Sequence, residues 1–189
     1  MKTNILTIAI LVLGLAFSNP LSAQKKSNVE YHPGKVILKN GIEMEGLVGI
    51  KKDVGEFKIL FKKFDESPKI YTYPSSGVKS LVSGDKVYHT QFIKTNRGNY
   101  VHALLEKVAG NDAVLFDAKF FDVVQRGKNN SSISYFEKHL LVHNGEYVFL
   151  NESDFKATLQ KFWIDELALL EKLNQYDKVT TSELKEILN

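Results

Sequence analysis

Short runs of alternating apolar and polar residues, each closed by a turn signal, fill the sequence from Gly34 to Leu150, and this period of two constrains the fold more than any other feature. Lys35 to Lys39 and Ile42 to Ile50 flank Asn40-Gly41, the residue pair suited to positive φ in a tight type I′ hairpin. In the second run Ile42, Met44, Val48 and Ile50 share one face while Glu43, Glu45 and Lys51 share the other, which predicts a half-buried strand. Further strands are expected over Glu56 to Lys62, Lys69 to Tyr73, Gly77 to Val82 and Val87 to Lys94, separated by Pro68, by Pro74-Ser75-Ser76-Gly77 and by Gly84-Asp85. A second group comprises Asn99 to Lys107 and Ala113 to Val123, joined by Ala109-Gly110-Asn111-Asp112. After the turn-rich Gln125 to Ser132 come Ile133 to His143 and Glu146 to Leu150, joined by Asn144-Gly145. About ten short strands in one stretch predict an antiparallel β-barrel or sandwich rather than alternating α/β units.

The period then lengthens. Phe155, Leu159 and Phe162 fall at i, i+4, i+7 behind Asn151 and Ser153, so a helix is expected from about Asp154. Asp165 to Asn174 is a Leu-rich second helix, and Thr180-Thr181-Ser182-Glu183 has the spacing of a capping box that opens a third. The expected organisation is a signal peptide over 1–23, a flexible linker over 24–33, an antiparallel β domain over 34–150 and a helical cap over 151–189. The class is mainly β, with two or three short C-terminal helices.

The leader reading rests on Lys2, an apolar stretch from Ile5 to Phe17, Pro20 and the small pair Ser22-Ala23 before Gln24. That stretch is too short for a spanning helix, which needs about 20 apolar residues. No Cys follows it, so lipidation there is excluded, and the expectation is an exported, periplasmic or extracellular chain without stable membrane insertion. The chain contains no Cys at all, which removes disulfides, thiolate nucleophiles and Cys-ligated metals together. Stability must come from packing, for which 12 Phe, 8 Tyr and one Trp supply the surface. A net charge of +3 in 189 residues gives no footprint for nucleic acid.

Candidate chemistry is sparse. Five His are present: His32, His89, His102, His139 and His143. Glu137, His139 and His143 share a strand face, but the two His lie about 13 Å apart along it, too far to hold one ion without partners from another strand. Glu43 and Glu45 could reach the separation of about 5 to 9.5 Å that glycosidase carboxylates need, but they sit on a solvated face. Asp117 and Asp122 interrupt a strongly apolar strand and read as turn or edge residues. No Gly-x-Ser-x-Gly elbow, P-loop or Gly-x-Gly-x-x-Gly is present. Tyr71, Tyr73, Tyr88, Tyr100, Tyr135 and Tyr147 suggest a carbohydrate platform, against the simpler reading of ring packing with the hydroxyl left wet. No catalytic, cofactor-binding or metal residue is assigned.

The string Gly34-Lys35-Val36-Ile37-Leu38-Lys39-Asn40-Gly41-Ile42-Glu43-Met44-Glu45-Gly46 resembles the opening of a set of uncharacterised exported β-rich proteins of Bacteroidota bacteria. The likeness continues through Tyr71-Thr72-Tyr73-Pro74, Lys86-Val87-Tyr88 and Tyr135-Phe136-Glu137-Lys138, and ends on the Phe155, Leu159, Phe162 helix and the terminal Leu-Lys-Glu-Ile-Leu-Asn. It departs at Ile42, where an acidic residue is usual, and at Leu188. The resemblance implies an exported cell-envelope protein and carries over no site residue or cofactor. The opening hairpin also resembles half of an Sm-like or SH3-type barrel, a reading that the leader and the near-neutral charge oppose. The functional expectation is a non-enzymatic binding or scaffold module for an envelope protein or glycan. The alternative is a periplasmic hydrolase of glycans or peptides using carboxylate and His chemistry.

Overall fold

The computed structural model describes residues 29–64, 69–127, 130–151 and 153–189. The expected signal peptide, residues 24–28 of the linker and the Pro68 break lie outside the described residues. Among the described residues ten strands form one antiparallel sheet: β1 (His32–Leu38), β2 (Glu43–Asp53), β3 (Glu56–Lys62), β4 (Tyr71–Pro74), β5 (Val78–Ser83), β6 (Lys86–Lys94), β7 (Tyr100–Ala109), β8 (Ala113–Gln125), β9 (Ser131–His143) and β10 (Glu146–Leu150). Three helices follow, α1 (Phe155–Phe162), α2 (Leu167–Asn174) and α3 (Thr181–Leu188). The mainly β class and the C-terminal cap are therefore as the periodicity predicts.

Hydrogen-bonded neighbours run β10-β9-β8-β7-β6-β5-β1-β2-β3-β4, so the sheet is not closed by its own ladder. A meander from β5 to β10 is joined to β1–β4 because β1 pairs with both β2 and β5. A single 3₁₀ turn, Ser75–Gly77, carries the chain from β4 to β5. Close approach requires Gly34 in β1: a Cβ there would stand 2.0 Å from the carbonyl oxygen of Val82. Strand β1 starts at His32, inside the stretch expected to be linker.

The two NG turns differ. Asn144 and Gly145 both have positive φ (50° and 82°), the type I′ requirement. At the first turn only Gly41 does (φ 87°), and the Leu38 N–H donates to the Ile42 carbonyl across the three residues Lys39, Asn40 and Gly41. This is the longer loop with one left-handed Gly, not the two-residue turn expected. Asn40 instead accepts the Ile42 N–H on its side chain at 3.2 Å, a local bond that holds it out of the left-handed region.

The curled sheet makes two β units, and the described core falls into three clusters. The inner face of β1–β5 holds Val36, Val48, Phe57, Ile59, Phe61, Val78 and Leu81. One face of β6–β10 holds Ile93, Ala103, Leu105, Phe116, Ala118, Phe120, Leu140 and Phe149. There β10 reaches toward β6 through a side chain rather than a ladder: the Tyr147 hydroxyl accepts the Lys94 N–H at 2.6 Å and donates toward the Lys94 carbonyl at 3.4 Å. The opposite face of this second unit takes the helices at one end. Leu115 and Leu141 pack with Phe155, Leu159, Trp163, Leu173, Leu184 and Ile187.

Only the last helix starts on a side-chain cap; the first starts at Asp154 with no cap from Asn151 or Ser153, the residues expected to supply one. Helix α3 has a complete capping box, with the Glu183 N–H donating to Thr180 Oγ1 at 3.4 Å and the Thr180 N–H to Glu183 Oε2 at 2.6 Å. No side chain caps the N-termini of α1 and α2, so packing holds them. Trp163, just past α1, is fully buried and is the largest side chain of the cap core. Trp163→Ala is expected to lower stability by about 3–5 kcal/mol, read as a lower urea midpoint with the far-UV β signal retained.

Candidate functional site

Alternate residues of β8 and β9 face the β1–β5 unit and the helices, and their cross-strand pairs change character step by step. Leu115 pairs with Leu141, Asp117 with His139, Lys119 with Glu137, Phe121 with Tyr135, and Val123 with Ile133. The first pair lies under the helical cap. The next two make a polar belt. Phe121 and Tyr135 lie under Phe57 of β3, with ring centroids 5.2 and 6.2 Å away. Lys52 sits over the Tyr135 ring at 3.2 Å, a cation–π contact that further ties the units together. The last pair floors an open cavity.

In the polar belt, Asp117 Oδ1 lies 2.7 Å from His139 Nδ1, and His139 Nε2 lies 3.4 Å from Thr181 Oγ1 at the first residue of α3. Beside it, Glu106 of β7 is largely buried and pairs with Lys86 and Lys119, each at 2.7 Å. Burial pushes the Glu106 pKa up, but the hydrogen bonds from Lys119 and Lys86 outweigh it and hold the carboxyl below its usual range. Tyr88, buried against the same network, is pushed up to about 12 by burial and then by Glu106. A cavity of about 430 Å³ opens on this belt, lined by Asp117, Glu137, Lys138, His139, Leu150 and Asn151.

The second cavity, about 530 Å³, lies between the two units. Its floor is Tyr100, Val101, His102, Phe121, Val123 and Ile133, and its walls include Glu56 and Ser75-Ser76. Tyr100 is 62 % exposed, and its ring stacks on Phe92, itself 56 % exposed, with centroids 5.5 Å apart and planes 21° from parallel. Phe92 also approaches the His102 ring at 4.9 Å. Val123 and Ile133 are each at least half exposed. Burial, and then the Lys39 charge, push the His102 pKa down, so its imidazole is neutral at pH 7.

The sequence candidates separate accordingly. Asp117 is not a turn or edge residue, since β8 is bonded on both sides there, whereas Asp122 lies past Phe120, where the pairing with β7 ends and only β9 is bonded to it. Their side chains alternate, so Asp117 joins the belt while Asp122 is buried on the other face. Asp122 accepts Asn99 Nδ2 at 2.7 Å and its neighbour's Val123 N–H at 2.8 Å, with Arg97 at 3.4 Å. His139 and His143 part company: His143 Nε2 meets Glu166 at 2.9 Å, while His139 meets Asp117. His89 packs edge-on against Phe116, and His32 stands 3.8 Å from Glu30. Among the described residues no three His, Asp or Glu groups converge as metal ligands. Glu43 pairs with Lys35 on the outside of the sheet. Tyr71, Tyr73, Tyr88, Tyr135 and Tyr147 all pack or bond within the protein, whereas Tyr100 stays largely open. Thr181, Glu106 and Phe92 were not legible as site residues, because each acquires its role from a strand or helix distant in sequence.

No family model, curated protein or solved structure matches the chain. No helix among the described residues is long and apolar enough to cross a membrane.

Asp122 gives a pH test. Burial raises its pKa, but donors from Asn99, the Val123 N–H and Arg97 help bring it below the usual carboxylate value. The folded value therefore lies under the unfolded one of about 3.9. The stabilisation is full above that unfolded value and is lost as the pH falls through the folded one. Asp122→Asn is expected to cost about 1.5–3 kcal/mol at pH 7, with the gap to wild type closing in acid, as measured by urea midpoints across pH 2.5 to 7.

Proposed function

We propose that the chain is an exported cell-envelope binding module of the kind suggested by its resemblance to exported β-rich Bacteroidota proteins, and that it engages its ligand at the cavity between its two β units. One observation carries this reading. Of the eleven exposed large apolar side chains among the described residues, Tyr100, Val123 and Ile133 line that single cavity, and a fourth, Phe92, stacks on Tyr100 beside it. Scattered surface apolar residues are ordinary, but a cluster rimmed by polar groups marks a place where something binds. Holding this surface open costs solvation free energy that a purely structural face would avoid by burying it or making it polar.

Two measurements test the reading. Intact mass of the chain from a periplasmic or extracellular fraction is expected to show a first residue at about Gln24; a chain retaining Met1 in the membrane would refute export. Wild-type protein immobilised against solubilised envelope is expected to retain a species that Ile133→Ser releases. An identical set of bound species on both would remove the cavity from the reading.

A second reading has its own support. The Asp117, His139, Thr181 series places an acceptor carboxylate on one ring nitrogen and a hydroxyl on the other, the arrangement by which a carboxylate orients His as a general base. With Nδ1–H donated to Asp117, Nε2 is free to take the proton of the Thr181 hydroxyl or of a water at the adjoining cavity. This supports hydrolysis of an envelope glycan or peptide. His139→Gln is then expected to abolish release of reducing ends or amines from such substrates while leaving the thermal midpoint within a few degrees of wild type. Equal turnover by wild type and variant would end this reading.

A further inference from the structure

The lining of the cavity between the two units restricts what it can hold. No Lys or Arg side chain lines it. Its two carboxylates are Glu56, which lies 3.8 Å from Lys58, and Asp122, which is consumed by Asn99, Val123 and Arg97. An anionic ligand would find its counter-charges only outside the lining, at Lys94, 5.8 Å from the Tyr100 ring centroid, and at Lys39, whose charge acts on His102. The apolar part is a ledge made by the Tyr100 ring, on which Phe92 stacks from outside the lining, with the rim residues Val123 and Ile133 beyond it. Between ledge and wall stand neutral donors and acceptors. His102 offers one of each in its uncharged form, Ser76 a hydroxyl, and Asn99 a carbonyl oxygen, since its amide nitrogen is held by Asp122 and the Val123 carbonyl.

An exposed aromatic face attracts C–H groups that carry partial positive charge, because the ring face is the negative side of its quadrupole. A pyranose ring presents such C–H groups on one face and hydroxyls around its edge. The hydroxyls need partners that both give and accept, which uncharged imidazole, hydroxyl and amide groups provide. An apolar peptide would use the ledge but would leave the polar wall unpaired, at a desolvation cost. We propose that the cavity between the two β units binds a neutral oligosaccharide, stacked on Tyr100, whose ring Phe92 supports, and hydrogen-bonded by His102, Asn99 and Ser76. The proposal rests on the binding-module reading and names its ligand class.

The test titrates the mature chain with neutral pentasaccharides of β-1,4-linked glucose, xylose and N-acetylglucosamine and of α-1,4-linked glucose, followed by calorimetry and saturation-transfer NMR. At least one is expected to bind, with affinity unchanged by added NaCl because the ligand carries no charge to screen. Tyr100→Ala is expected to weaken that binding by about tenfold or more, and Tyr100→Phe, which keeps the ring face, by about threefold or less. Tyr100 is largely exposed, so both variants are expected to melt with the wild type; Ile133→Ser serves as a second variant on the opposite rim. No saturation transfer from any of the sugars, or equal binding by Tyr100→Ala, overturns the proposal. A photo-crosslinking residue in place of Val123 separates the two levels of inference. Capture of a protein in the native envelope, with no sugar bound, refutes the glycan and keeps the binding module, whereas neither capture nor sugar binding refutes both.

Discussion

The contact of Phe57 with Phe121 and Tyr135 is the one on which the rest of the structure depends. A ten-stranded antiparallel sheet left open would expose an apolar face along its length, and strongly twisted sheets of that size relieve this by curling or by packing on themselves. Here the hairpin of β2 and β3 brings Phe57 over the middle of β8 and β9. Lys52 then closes over the Tyr135 ring from the same hairpin. Burial and Glu137 push the Tyr135 hydroxyl up to about 12, so this aromatic joint stays uncharged over any physiological range. The open cavity exists because the rings of the joint cover Phe121 and Tyr135, while only the side-chain-free Gly55 turn of the hairpin stands over Ile133.

The same logic explains the polar belt. The helical cap covers Leu115 and Leu141 at one end, and Phe57 covers the aromatic pair at the other; the two coverings do not meet. The strand positions left between them are occupied by Asp117, His139, Lys119 and Glu137, with Glu106 and Lys86 from the neighbouring strands. Each carboxylate there has a cationic or imidazole partner, which is the condition for keeping ionised groups half out of water. The Asp117 to Thr181 series is a product of this gap, since it forms where a helix end approaches the sheet over charged rather than apolar pairs.

Some of this was legible along the chain and some was not, for reasons that differ by residue. The capping box of α3 and the Asn144-Gly145 turn depend on residues within three positions of each other, and both stand as the spacing predicts. The Asn40-Gly41 turn was misread in detail because its length is set by where β1 must leave β5 and meet β2, a constraint that the dipeptide does not contain. Asp122 looked like an edge residue because a charge in an apolar run ordinarily marks one. It does stand where β8 has run past its pairing with β7, but it is buried there, and Asn99 and Arg97, more than twenty positions away, make that tolerable. Tyr100 could not be told from five other strand tyrosines. Its exposure is decided by what the distant β2–β3 hairpin fails to reach.

Period and punctuation, taken alone, determined that this chain makes ten antiparallel strands and a helical cap, because alternation and turn chemistry act over a few residues and survive any arrangement of the strands. The sequence also determined that stability rests on packing without disulfides, since it contains no Cys. Which faces are covered was decided only in the tertiary structure. The side-chain pairs of β8 and β9 have similar local surroundings, and whether a pair becomes core, polar belt or open floor depends on which part of the remaining chain folds across it.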